Sequence, residues 1–162
     1  MARRTGQSKA IGEQLRAAVA TVVKATALAI DAGLRAAPSQ GGTPVATGHA
    51  RANWVPSVTQ PYSGETSGEG AHAAGLAEVL AYQLSDGAIY ISNSAGYVPR
   101  LNRGSSKQAP ALFIEAVIDR VLAEMQQRYG SSSLSLERFQ SAVGGAGAEN
   151  MASAYSPFGD DD

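Results

Sequence analysis

Cysteine is absent from this 162-residue chain, which excludes disulfide staples, zinc–thiolate sites, iron–sulfur clusters and thiol catalysis. That absence suits any compartment, so it places nothing. Histidine is scarce. His49 and His72 lie far apart among small residues in loop-like sequence, so they cannot build a local His-rich metal site, and both are expected as solvated side chains. A basic surplus is lacking too: the net charge is −1, whereas gripping a duplex requires cations to neutralise phosphates. No run of about 18 apolar residues is apparent, so no membrane span is expected. The start, MARRTGQSKAIGEQL, is basic like a signal n-region, but Gly12, Glu13, Gln14 and Arg16 interrupt any apolar core. No secretory leader is expected.

Catalytic signatures are missing as well. There is no HExxH, P-loop or GxSxG. None of the three lysines follows a serine at the Ser-x-x-Lys spacing. The run GGAGAE follows no strand and opens no helix, so it carries no weight as a nucleotide fingerprint. Carboxylates fall mostly on expected helix faces, where a solvated surface accounts for them, and Glu124 can pair with Arg120 or Arg128 four residues away. No cofactor and no metal is expected.

What is present is enough for a core: 44% apolar and 17% charged residues fit one globular domain over 1–129, followed by a flexible or partner-ordered tail over 130–162. From residue 8 to 37, Ile11, Leu15, Val19, Val23, Ala27, Ile30 and Leu34 recur at three-to-four spacing, predicting a long amphipathic helix with Ser8 as N-cap and its end at Pro38. Such a helix spans roughly 45 Å, more than a small core requires. A Gly/Pro-rich loop over 38–50 leads to a strand at 52–59. Pro56 lacks a donor there, which places the strand at an edge or a bulge. Residues 71–84 return to helical spacing, Asp86-Gly87 signals a turn, and 88–92 (AIYIS) reads as a second strand. A second strong helix covers 111–129, with Pro110 as its first residue. The expected class is α+β: a long N-terminal helix, a small sheet of two or three strands, a second long helix and an extended C-terminal tail. That tail has a short helix near 134–143 and scattered Leu136, Phe139, Tyr155 and Phe158.

Between the second strand and the second helix lies YVPRLNRGSSKQAP, residues 97–110. Arg100, Arg103 and Lys107 stand among Asn102, Ser105, Ser106 and Gln108, with no base or nucleophile beside them. A phosphate site at a helix start would use such cations, and a solvated loop would tolerate them. An interface loop uses the whole set: guanidinium forks for carboxylates, amides for backbone groups, Tyr97 and Leu101 as anchors.

Two stretches carry a resemblance. In the first, Thr43, Pro44, Thr47, Gly48, Arg51 and Trp54 form T-P-x-x-T-G-x-x-R-x-x-W. In the second, Ile89, Tyr90, Ile91 and Asn93 form I-Y-I-x-N. Tyr97, Pro99 and Leu101 follow, and then Gly104, Ser106, Lys107, Gln108, Ala109 and Pro110 lead into a helix. In order and spacing this resembles the tail-completion neck proteins of long-tailed bacteriophages, the minor tail protein Z-like chains, over roughly the middle half of the sequence. Arg103 stands where such chains would be expected to carry an acidic or small residue, so no ion pair is carried over there.

The resemblance implies a non-catalytic virion structural protein in the neck at the head–tail junction, present in the host cytoplasm during assembly. It implies a homo-oligomeric ring, a hexamer, set between tail-terminator and head-closure proteins, with DNA only as passing cargo and no membrane. The two matched stretches, with Arg100, Asn102 and Arg103, would then form subunit or partner contacts. A tail terminator or a head-closure protein is the nearest alternative, because all are small α+β rings. A small hydrolase with dispersed catalytic residues is the alternative of a different class.

Overall fold

A computed structural model describes residues 2–66 and 69–130, with side chains from residue 9 onward. The chain divides into a unit Met1–Met125 and a unit Gln126–Asp162. The fold concerns the first; of the second, only the end of the last helix is described, so the expected tail and its short helix lie outside the described residues. The described part is α+β, with five helical segments and a two-stranded antiparallel sheet.

Helix α1 runs from Ala2 to Arg35, 34 residues. It begins before Ser8, which is therefore inside the helix rather than its cap. Its buried positions are Ala20, Ala27, Asp31 and Leu34, a stripe at three, four and seven that includes an acid. Contrary to the sequence expectation, Lys9–Arg35 is by length and composition apolar enough to cross a membrane. Both charges that interrupt its apolar part serve packing: Lys24 Nζ donates to Leu80 O at 3.3 Å, and Asp31 pairs with His72.

The chain leaves α1 through a tight turn at Pro38–Gln40 and a short helix α2, His49–Ala52, into strand β1, Trp54–Val58. Helix α3, Gly70–Ala81, and a turn at Leu84–Asp86 lead to strand β2, Ile89–Asn93. β1 and β2 pair antiparallel, with Trp54 opposite Asn93 and Val58 opposite Ile89. Both strands start two or one residues later than the sequence suggests.

Pro56 shows how the sheet is arranged. Thr59 N donates to Ala88 O at 3.1 Å, so by antiparallel alternation Ser57 and Val55 also point their amides at β2. Pro56 then faces away, and its missing donor costs no ladder bond. On that outer side Glu78 Oε2 accepts from Val58 N at 3.2 Å. Helix α3 sits so close that a Cβ on Gly75 would lie 1.9 Å from Pro56 O. The edge placement of Pro56 is thus observed. The same alternation leaves the backbone groups of Ile89 and Ile91 on the outer edge of β2.

The core gathers Leu34, Ala50, Trp54, Ala95, Val98, Val117 and Val121, with Ile91, Leu101 and Ile114 packed against it. Helix α5, Phe113–Tyr129, crosses α1 at Gly33, where a Cβ would meet Val117 Cγ1 at 2.7 Å. Pro110 is not its first residue: the helix starts three residues later, and Pro110 is exposed.

Candidate functional site

Thr43 is the centre of the first motif. Its N–H and its hydroxyl both donate to Leu34 O, at 3.0 and 2.7 Å, which binds the end of α1. The same hydroxyl oxygen accepts from Trp54 Nε1 at 2.7 Å. Thr43, Pro44 and Trp54 are all buried inside the chain's own core. They shape the fold and present no outward surface for the contact expected of them from sequence. Gly48 takes a left-handed backbone (φ 84°) immediately before α2. Thr47 is exposed and Arg51 half-buried.

The second motif is stapled on four sides. A short turn, α4, covers Val98–Arg100, with Val98 buried and Pro99 exposed. It continues into a wider turn over Leu101–Ser105, broken by Gly104 at φ 89°. Asn102 then holds α5. Its Oδ1 accepts from Ile114 N at 3.0 Å, its Nδ2 donates to Glu115 at 2.8 and 3.1 Å, and its carbonyl accepts from Leu112 N at 2.6 Å. Asn102 therefore caps the helix that was expected to start at Pro110, from a position eleven residues before Phe113 that no local pattern marks. Gln108 Oε1 accepts from Val45 N at 2.8 Å, joining the two motifs. Ser106 Oγ accepts from Gln108 N, and buried Ala109 closes the loop onto the body.

This staple sets what the loop offers outward. Arg100, Arg103, Lys107 and Pro110 are exposed. Ion pairs among the described residues are Arg35–Glu69, His49–Glu65 and His72–Asp31, so the three loop cations have no carboxylate partner there. Tyr97 is 37% exposed and stacks on His49 at 6.3 Å between ring centres. Leu101, expected as a partner anchor, packs instead against the chain's own core. Its place outside is taken by Leu112, 56% exposed and held at φ 62°. A leucine in the left-handed region is strained and rare, and no sequence signal announces it.

The histidines differ from their expected solvated state. His72 is buried, and its Nε2 lies 2.8 Å from Asp31 Oδ2, a pair that ties α3 to α1. The other carboxylate oxygen, Asp31 Oδ1, is buried with no hydrogen-bond partner. Among the described residues no hydroxyl is hydrogen-bonded to His72. His49 Nε2 meets Glu65 Oε2 at 3.0 Å beside Asn53, whose amide also bonds both backbone groups of Thr66.

No protein-family model, curated protein or solved structure matches this chain.

Proposed function

We propose that this chain is a structural subunit of the bacteriophage neck, a tail-completion protein that assembles as a homo-oligomeric ring between tail-terminator and head-closure proteins. The observation that carries the reading is the stapled loop. It is fixed from within by Asn102 and Gln108, while Tyr97, Leu112 and three cations with no carboxylate partner among the described residues face outward. Ordering a loop before contact lowers the entropic cost of binding, and an exposed apolar residue held in a strained backbone suits a contact made elsewhere than in the lone subunit. The small size of the sheet supports the same reading, because a two-stranded sheet is marginal alone. The sequence resemblance supplies the identity of the assembly.

The test is co-assembly. Purified chain mixed with the tail-terminator and head-closure proteins of the same phage is expected to give a ring-sized species by light scattering. A chain that stays monomeric and ignores both partners would count decisively against the assignment.

A further inference from the structure

Most carboxylates of the described residues are already engaged. Asp31 pairs with His72, Glu65 with His49 and Glu69 with Arg35. Glu78 accepts from Val58 N and Asp86 from Gln83 N. Glu13, Asp119 and Glu124 have no such partner. Glu13 stands between Lys9 and Arg16 on α1, a stretch of mixed charge. On α5, Glu115, Asp119 and Leu122 follow one another at i, i+4 and i+7, so they share one outward stripe, whereas Glu124 falls on the opposite flank. Glu115 bonds only a neutral amide, so its charge is not cancelled. Leu122 is 50% exposed, an apolar residue next to Asp119 and the small, exposed Ala123, with Glu115 one turn further along the same stripe.

The stapled loop is the mirror of that stripe in charge: Arg100, Arg103 and Lys107 beside exposed Leu112. Positive and negative patches of this size, each carrying an exposed leucine, satisfy the two demands of a specific contact, namely an apolar centre and a complementary charged rim. We infer that the loop's partner is a second copy of this chain, docked through the Glu115–Asp119–Leu122 stripe of its α5. This rests on the reading of the loop as a contact surface and names what it contacts. Each copy carries both halves, so the contact is self-complementary without any additional protein.

Charge reversal in the full-length chain tests it. One variant combines Arg103→Glu with Lys107→Glu, and the other combines Asp119→Lys with Ala123→Lys. All four positions are exposed, and circular dichroism checks that each variant keeps its helices. Self-association measured by sedimentation is expected to weaken on raising salt from about 50 to about 500 mM. Each variant alone should associate at least about 10-fold more weakly than the parent, and an equimolar mixture of the two should recover most of the loss. No recovery in the mixture, with the loop variant also failing to join the phage partners, would overturn the second copy as occupant but keep the loop as a contact. If the loop variant self-associates and joins those partners like the parent, the inference and the contact reading fall together. A parent chain that does not self-associate at any concentration overturns the inference outright.

Discussion

At the residue scale, the buried polar side chains behave as fasteners between distant segments. Thr43 is the clearest case, since one hydroxyl serves both Leu34 O and Trp54 Nε1. Thr43→Val keeps the shape and strands Trp54 Nε1, while Leu34 O still accepts from the backbone N–H of residue 43, so a loss of about 1–3 kcal/mol is expected in urea unfolding; Thr43→Ser, which keeps the hydroxyl, should cost much less. Asp31 and His72 make an asymmetric pair. Removing the imidazole by His72→Ala leaves a buried carboxylate alone, a change expected to cost about 3–5 kcal/mol. Asp31→Asn can still bond the ring and removes the charge from an oxygen that has no partner, so it is expected to be far milder. Equal losses for the two variants would show that the pair's worth lies in packing rather than charge. Leu112 tests the other side of the ledger. Leu112→Gly relieves the left-handed backbone while deleting the exposed side chain, so monomer stability should change by no more than about 1 kcal/mol while association weakens.

At the element scale, close approach decides which glycines matter. Gly12 in α1 has open space around its missing Cβ, and Gly12→Ala should stabilise the chain by about 0.5–1 kcal/mol through helix propensity alone. A Cβ on Gly75 in α3 would lie 1.9 Å from Pro56 O; the same change there forces α3 off β1, with a loss of at least about 1–3 kcal/mol expected. Thermal melts of the two variants should move in opposite directions.

The elements themselves were largely legible. Three-to-four spacing found α1, α3 and α5, and a β-branched run found β2, because those signals are local and repeat. Boundaries slipped where the deciding group lies far off in sequence. Pro110 looked like a helix start, yet Asn102 takes the Ile114 amide from across a turn. Asp31 looked like the polar side of α1 until His72, 41 residues on, made it part of the buried stripe. Within the two motifs, the sequence could not separate Thr43, Pro44, Trp54 and Leu101, which turn inward, from Tyr97, Arg100, Arg103 and Lys107, which turn outward. Leu112 was invisible because backbone strain leaves no compositional trace.

At the scale of the whole molecule, the stapled loop predicts a separation of assembly from folding. Tyr97→Ala removes a partly exposed ring whose only described aromatic neighbour is His49. Helical content by circular dichroism should be unchanged, while association with neck partners weakens by about 2 kcal/mol. If that variant unfolds the isolated chain and shows no defect specific to assembly, Tyr97 belongs to the subunit's own architecture.

Helix α1 adds a mechanical property to the described fold. Its buried contacts begin at Ala20, while residues 9–18 are mostly exposed and the backbone is helical from Ala2. Beyond the part clamped by buried residues the helical backbone therefore continues as an arm of about 27 Å at 1.5 Å per residue, with Glu13 and Arg16 still beside Gln83 and Leu84. Such an arm is a lever: a tilt of about 10° at the clamp sweeps its tip by roughly 5 Å. A small repacking around Ala27 and Leu34 would thus be felt as a large displacement at the far end, without a single bond of the helix being broken.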